Sequence, residues 1–189
     1  MNQLKIGLDI IHGDIKPENV LIFKADNGLY YARVADFGYS SLYADENDTM
    51  KLPISRPWNA PKHIRLNRAW KPSQAKRLDI FSFGMLCIWI LFERYFSETS
   101  CLPQEQSAWA TEYFLDSGTP RQAREILMDL KNADKLLLIA SQFIAAELSL
   151  NDKRKKALEE FLRSSLIIDG EDQQDASIQR LFDELALPQ

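Results

Sequence analysis

Residues 12–19 read His-Gly-Asp-Ile-Lys-Pro-Glu-Asn, and this polar loop constrains the fold more than any other stretch of the 189-residue chain. Pro17 has no backbone N–H and disfavours helical geometry at the residue before it, so the polar loop cannot continue as a helix. Asp14, Lys16 and Asn19 therefore place a carboxylate, an ammonium group and an amide close together on irregular backbone. This spacing predicts a site at which polar side chains converge.

Two apolar runs follow the polar loop, at residues 20–23 and 29–34, and the turn sequence Asp-Asn-Gly at 26–28 separates them. Asn-Gly between such runs is typical of a β-hairpin, because both residues tolerate positive φ. The hairpin would carry Asn19 at its entrance and Asp36 at its exit. We therefore expect two oxygen ligands on one edge, an arrangement that suits Mg²⁺.

The residue types of the polar loop match the needs of phosphoryl transfer to a hydroxyl group. The nucleophile needs an acceptor for its proton, the transferring oxygens need a cation, and Mg²⁺ needs oxygen ligands. Asp14, Lys16 and Asn19 are able to supply these three functions in that order.

Three further motifs follow in the sequence. Residues 36–38 read Asp-Phe-Gly, residues 60–62 read Ala-Pro-Lys, and residues 79–84 read Asp-Ile-Phe-Ser-Phe-Gly. With these motifs in this order, the chain resembles the C-terminal lobe of the eukaryotic protein kinase family, with a degenerate A-P-E. The resemblance covers residues 1–168 and implies a mainly α fold (α+β overall), in which a short catalytic-loop β-hairpin accompanies a helical bundle.

The resemblance also implies a role for each matching residue. Asp14 resembles the catalytic base, Lys16 the contact to the γ-phosphate of ATP, and Asn19 and Asp36 the ligands of Mg²⁺. Lys16 stands where the serine/threonine subclass has lysine. Ser55 lies where that subclass places a hydroxyl that bridges the base and the lysine. These residues imply ATP-dependent phosphoryl transfer to protein serine or threonine.

Three other positions concern support and control of the site. Asp79 resembles a buried carboxylate that accepts hydrogen bonds from the backbone of the polar loop. Gly13 stands where many members have arginine, so we do not expect control by a phosphorylated activation segment paired to that cation. Trp58 is open to two interpretations: it seats the acceptor peptide, or it packs under the activation segment.

In the family, an N-terminal lobe with a glycine-rich loop precedes the catalytic loop, and it has no counterpart in these residues. The seven glycines contain no G-x-G-x-x-G, and only eleven residues precede His12. We therefore expect a truncated domain without its N-terminal lobe, inactive on its own, so enzymatic activity stays open. Two alternatives are a pseudokinase-like module, which binds a protein partner at the exposed inter-lobe face, and a non-functional fragment.

The rest of the chain is predicted to be helical, with a central core helix over residues 80–92, further helices over 120–131 and 133–148, and a helix capped by Asn151 or Asp152. We place one kinase-like domain at residues 1–168. Residues 169–189 form an acidic break followed by a C-terminal amphipathic helix.

Composition bears on partners and compartment. The net charge of −4 argues against a nucleic-acid partner. The start of the chain lacks the apolar core of a secretory signal, and the longest apolar segment is too short for a membrane span. The two cysteines show neither metal-ligand spacing nor a disulfide framework. We expect an intracellular protein, cytoplasmic or nuclear.

Overall fold

A computed structural model describes residues 10–42, 47–97, 115–116, 119–120 and 122–167 of the chain. In this part of the chain the fold is mostly helical, with small two-stranded antiparallel sheets, as predicted. The chain divides into two compact units, Met1–Ser82 and Phe83–Gln189. The predicted boundary after residue 168 and the predicted terminal helix lie outside the described residues.

The first unit contains two short sheets. Strand β1 (Ile10–Ile11) pairs with β4 (Ser41–Leu42), and β2 (Val20–Lys24) pairs with β3 (Tyr30–Val34). The predicted hairpin is therefore confirmed. Gly28 has a φ of +81° in its turn, a conformation that glycine adopts without steric cost.

In the sequence, a short helix, α1 (Pro61–Leu66), follows the strands of the two sheets and precedes the long helix of the chain. It begins with proline at its first position, where the missing N–H costs no intrahelical bond. It ends at Asn67, which takes a left-handed conformation with a φ of +39°. Met50 and Trp70 exchange backbone hydrogen bonds of 2.9 and 2.8 Å, which ties the chain before α1 to the chain after it.

Helix α2 spans Pro72–Ser97 and is longer than the predicted helix over residues 80–92. Its start is set by Pro72, which is favoured at a helix N-terminus, so the apolar run marks only the middle of the helix. Phe81 and Phe92 are buried, whereas Ile90 and Leu91 are exposed. The prediction of a core helix over residues 80–92 was therefore wrong for the side of the helix that carries Ile90 and Leu91.

The second unit packs the end of α2 with three further helices, α3 (Ala123–Asn132), α4 (Leu136–Ala146) and α5 (Asp152–Leu166). Strands β5 (Leu115–Asp116) and β6 (Thr119–Pro120) form a small hairpin. The side chain of Asn151 accepts a 2.9 Å hydrogen bond from the backbone N–H of Arg154. Asn151, one of two predicted candidates, is thus the cap of α5.

Aromatic rings fill the core of the second unit. Tyr95 stacks on Phe143 with ring centroids 4.6 Å apart, and Phe92 and Phe96 each lie 5.5 Å from the same ring. Phe83 meets Phe161 of α5 edge to face at 5.7 Å. These contacts explain why the apolar stripes of α2, α4 and α5 are buried, since aromatic pairs add stabilisation beyond simple area burial.

Candidate active site

The backbone of the polar loop is anchored by Asp79 of α2. The carboxylate accepts hydrogen bonds from the N–H of His12 at 2.6 Å and from the N–H of Gly13 at 2.9 Å, as predicted. Burial raises the pKa of Asp79, and the hydrogen bonds from Gly13 and His12 oppose this rise without cancelling it. A single side chain thus satisfies two backbone donors that the loop's irregular shape leaves without secondary-structure partners.

Gly13 occupies a position that a larger residue would strain. Its φ is +82°, and a Cβ there would lie 3.1 Å from Leu52 Cδ2 and 3.2 Å from the carbonyl oxygen of Tyr39. A residue with a Cβ in this left-handed region would lose backbone stability. The absence of arginine at this position therefore has a local steric reason in this chain.

His12 links the polar loop to the segment that precedes Asp36. The backbone N–H of Asp14 donates to His12 Nδ1 at 3.2 Å, and His12 Nε2 lies 3.0 Å from the carbonyl oxygen of Ala35. Because Nδ1 accepts a hydrogen bond, the ring carries its proton on Nε2. The His12 ring also meets Phe37 edge to face at 5.0 Å. No role for the His12 side chain was predicted from the sequence.

The carboxylate of Asp14 is the centre of the site. Lys16 Nζ donates to its Oδ2 at 2.6 Å, and the hydroxyl of Ser55 donates to its Oδ1 at 2.5 Å. The amide nitrogen of Asn19 donates to the backbone oxygen of Asp14 at 2.8 Å and to Oδ2 at 3.2 Å. The structure thus brings together four predicted residues. The carboxylate, and not the Ser55 hydroxyl, is the group that joins them.

The electrostatic environment keeps Asp14 ionised. Burial acts to raise the pKa of this carboxyl, but hydrogen bonds from Lys16 and Ser55, the charge of Lys16 and a hydrogen bond from Asn19 outweigh it. The pKa of Asp14 is therefore lowered from its ordinary value. A carboxylate that is ionised at neutral pH can accept a hydrogen bond from a bound hydroxyl group.

Asn19 and Asp36 are brought to the same edge of the β2–β3 hairpin, as predicted. The backbone N–H of Ala35 donates to the carbonyl oxygen of Asn19 at 2.8 Å, so Asp36 follows a residue that is tied directly to Asn19. Asp36 has a φ of +61°, and its exposed side chain accepts a 3.3 Å hydrogen bond from the N–H of Gly38. Two oxygen-bearing side chains thus lie at the open end of the hairpin, opposite its turn.

The backbone around Ser55 is held by its own neighbours. The side-chain oxygen of buried Asn59 accepts a hydrogen bond from the N–H of Ser55, and the carbonyl of Ser55 accepts from the N–H groups of Trp58 at 3.0 Å and Asn59 at 3.1 Å. No sequence motif pointed to Asn59. Trp58 is only 1% exposed, which favours its packing role over contact with an acceptor peptide.

Neither a cluster of metal-binding side chains nor a membrane-spanning helix occurs among the described residues. Among the residues at 10–42, 47–97 and 122–167, no three His, Cys, Asp or Glu side chains are grouped so that they could hold a metal ion. No helix in the same part of the chain has the length and apolar character needed to cross a membrane. A metal at the hairpin edge would therefore rely on few protein ligands.

Residues 6–167 match the protein kinase domain family. A probable LRR receptor-like serine/threonine-protein kinase of Arabidopsis thaliana is 30% identical over 129 residues, which is 67% of this chain and 11% of that protein. The serine/threonine-protein kinase chk-1 of Caenorhabditis elegans is 30% identical over 112 residues, 57% of this chain and 21% of that protein. The serine/threonine-protein kinase CHK1 of Saccharomyces cerevisiae is 32% identical over 95 residues, 48% and 17% respectively. In each case the matched region spans about a fifth or less of the length of the curated relative.

Proposed function

Because the chain belongs to the protein kinase family, we propose that it takes part in ATP-dependent phosphoryl transfer to serine or threonine hydroxyls of a protein. The observation that supports this most is the arrangement of Asp14, which Lys16 holds at one carboxylate oxygen and Ser55 at the other. These bonds to a charged group fix the orientation of the carboxylate. The serine/threonine class is supported by Lys16 in the motif and by the names of the relatives.

In this proposal Asp14 accepts the hydrogen bond of the substrate hydroxyl and orients its oxygen. The lowered pKa of Asp14 keeps the carboxylate an acceptor of modest basicity at neutral pH. Such a group suits phosphoryl transfer, in which positioning and electrostatic stabilisation carry most of the catalysis. Lys16 places a positive charge beside the position of the transferring oxygens, and Ser55 keeps the carboxylate from rotating.

Asn19 and Asp36 match the oxygen ligands that Mg²⁺ prefers. Both hydrogen bonds of the Asn19 side chain use its amide nitrogen, so the amide oxygen is the atom that would face a cation. Two protein ligands are sufficient, because Mg²⁺ keeps several waters and phosphate oxygens in its coordination shell. Bound Mg²⁺ and ATP would supply the phosphoryl group and neutralise the charge on its oxygens.

We do not expect these 189 residues to carry out the transfer unaided. The family covers the phosphates with a glycine-rich loop and contacts them with a strand lysine, and the sequence contains no G-x-G-x-x-G. Nucleotide positioning would therefore depend on a further segment or on a partner. Because positioning contributes so much to this reaction, its loss would leave little activity.

The first test is nucleotide binding. We expect the melting temperature of the chain to rise with millimolar ATP only when Mg²⁺ is present, and the rise to vanish in Asp36→Ala. Asp26→Ala, a change of another acidic residue in the exposed hairpin turn, serves as the matched control and should behave like the wild type. A wild-type melt that does not respond to Mg²⁺ and ATP would contradict the proposal.

The second test is phosphoryl transfer, measured in the presence of the segment or partner that positions the nucleotide. Asp14→Asn removes the charged acceptor and keeps the size of the side chain, so we expect transfer to fall by about a hundredfold or more. Nucleotide binding should remain, since Asp14 is not one of the proposed metal ligands. Equal transfer rates in Asp14→Asn and the wild type would contradict the role given to Asp14.

One observation favours a second function, a pseudokinase-like interaction module. The hairpin exposes Leu21 (47%), Ile22 (64%) and Tyr30 (69%), and Phe37 beyond it is 57% exposed. The strand register places Ile22 and Tyr30 on one face of the hairpin and Leu21 on the other. Exposed apolar surface marks a partner site or a risk of aggregation. We propose a protein partner at the hairpin, and we expect the isolated chain to self-associate.

Sedimentation over a range of concentrations checks this second function. Ile22→Lys should reduce self-association, while Leu148→Lys, a change at an exposed apolar residue of the second unit, should not. A sharp melt that is independent of concentration, from a monomer, would count against the interaction module. If the chain binds neither nucleotide nor a protein partner, the remaining hypothesis is a non-functional fragment.

A further inference from the structure

A buried histidine outside the polar loop connects three segments of the first unit. His63 of α1 is 1% exposed. Its Nδ1 accepts a 2.9 Å hydrogen bond from the indole N–H of Trp70, and its Nε2 lies 3.0 Å from the carbonyl oxygen of Pro53. The indole nitrogen can only donate, so Nδ1 must be unprotonated and Nε2 must carry the proton. The Trp70 hydrogen bond requires an unprotonated Nδ1, whereas the hydrogen bond that Nε2–H donates to Pro53 does not depend on the state of Nδ1.

The Pro53 bond belongs to a closed set of contacts around residues 50–53. At one end of this segment, Met50 exchanges two backbone hydrogen bonds with Trp70. At the other end, the carbonyl of Pro53 meets His63, whose ring is held in turn by the indole of Trp70. Ser55 follows two residues later and donates to Asp14. The His63 ring is therefore one of the contacts that hold the chain just ahead of Ser55.

Protonation of His63 Nδ1 would disrupt this set. It would convert the acceptor of the Trp70 hydrogen bond into a donor that faces another donor, and a buried donor without an acceptor is costly. One positive charge already lies beside the indole, because the guanidinium of Arg68 lies over the Trp70 ring at 4.5 Å. Every charged residue on residues 50–54 and 61–71, which carry His63 and its partners, is basic: Lys51, Lys62, Arg65, Arg68 and Lys71.

We propose that His63 is a positioning residue, whose ring joins Pro53 to Trp70 and thereby helps to seat Ser55 against Asp14, and that loss of the Trp70 hydrogen bond on protonation of Nδ1 loosens this segment. The effect on phosphoryl transfer rests on the proposed function, whereas the positioning itself does not. The test therefore uses backbone and side-chain readouts in the chain without nucleotide or substrate.

The experiment measures NMR hydrogen-exchange protection of the amides of Ser55, Trp58 and Asn59 between pH 7.5 and 5, corrected for intrinsic exchange rates. In the wild type we expect protection to fall by about tenfold on acidification, because loss of the Trp70 hydrogen bond to His63 loosens the segment. The amide of buried Ala157 in α5 should keep its protection, which separates local release from global unfolding.

Two variants at His63 separate the hydrogen bonds from packing. His63→Gln offers an amide oxygen and an amide nitrogen but does not titrate, so it should keep protection at Ser55 through Asn59 at both pH values. His63→Leu fills the space without polar atoms and should lose protection at both pH values. Equal pH dependence in the wild type and His63→Gln would overturn the proposal.

The tautomer of the wild-type ring gives a measurement that does not depend on any variant folding. The chain has only two histidines, so the ¹⁵N resonances of His63 can be assigned directly. We expect the Nε2–H form at neutral pH, together with a Trp70 indole N–H that is protected from exchange. An Nδ1–H form, or a rapidly exchanging Trp70 indole, would overturn the proposal.

Discussion

The carboxylate of Asp79 accepts a 2.6 Å hydrogen bond from the backbone N–H of His12, although 67 positions separate the two residues in the chain. A second bond, from the N–H of Gly13 at 2.9 Å, completes the attachment of the polar loop to helix α2. The position of Asp14 in the polar loop therefore depends on a side chain that lies outside this loop.

Removal of the Asp79 carboxylate should destabilise the chain. Asp79→Ala leaves two backbone N–H groups without their acceptor, and we expect the free energy of unfolding to fall by about 2–4 kcal/mol. Asp79→Asn keeps one acceptor oxygen and should lose about half as much. Urea denaturation measures both, and Asp48→Asn at an exposed position is the control. A loss below about 0.5 kcal/mol in Asp79→Ala would show that the anchor is dispensable.

The ion pair between Asp14 and Lys16 should make stability depend on pH. The pKa of Asp14 is lowered in the folded chain, so its contribution is fully present above the unfolded value of about 3.9 and is lost as the pH falls through the folded value. Lys16→Met removes a hydrogen bond and a positive charge that both lower the pKa of Asp14. The wild type should therefore be more stable than Lys16→Met at pH 7, with the difference shrinking toward pH 3. Unfolding free energies across this range provide the measurement, and a difference that stays constant would contradict the prediction.

Gly13 and Gly28 allow the cost of a positive φ to be separated from the cost of a close approach. Their φ values are +82° and +81°, but a Cβ at Gly28 would meet nothing within 4 Å, whereas one at Gly13 would meet Leu52 and Tyr39. Gly28→Ala should cost about 1 kcal/mol, and Gly13→Ala should cost about 1–2 kcal/mol more. Chemical denaturation checks the order of the two variants. Equal losses would mean that the polar loop shifts to accommodate the methyl group.

Gly84 of α2 lies against α5 in the second unit. A Cβ at Gly84 would lie 2.4 Å from the hydroxyl oxygen of Ser165 and 3.0 Å from its Cβ. Alanine raises helix propensity by about 1 kcal/mol, but overpacking costs about 1–3 kcal/mol, so we expect Gly84→Ala to be destabilising on balance. Combining it with Ser165→Ala removes the closest contact and should recover part of the loss. Double-mutant cycles from thermal or urea unfolding measure this coupling, and strictly additive effects would refute it.

Much of the site could be predicted from the sequence, because its parts are local. Asp14, Lys16 and Asn19 lie within one short loop, and the apolar runs around Asn-Gly define the hairpin that carries Asn19 and Asp36. The full extent of α2 was not predicted. The apolar run marks only its middle, and the helix continues into polar and exposed residues on both sides.

Other residues lacked any local signal. His12, Asn59 and His63 act through hydrogen bonds to backbone atoms or to a distant ring, and such partners leave no characteristic spacing. The same reason explains the correction at Ser55, where the motif predicted a bridge between base and lysine. In the folded chain the Asp14 carboxylate takes the central position.

Local patterns of charge, proline, glycine and apolar residues were thus enough to indicate the chemistry of the polar loop, the hairpin and the family. Only the folded chain brings Ser55 to Asp14 across 41 positions and Asp79 to the loop backbone. It also joins His63 to both Trp70 and Pro53. The physical reason is that hydrogen bonds between distant segments depend on how those segments pack, which spacing along the chain does not encode.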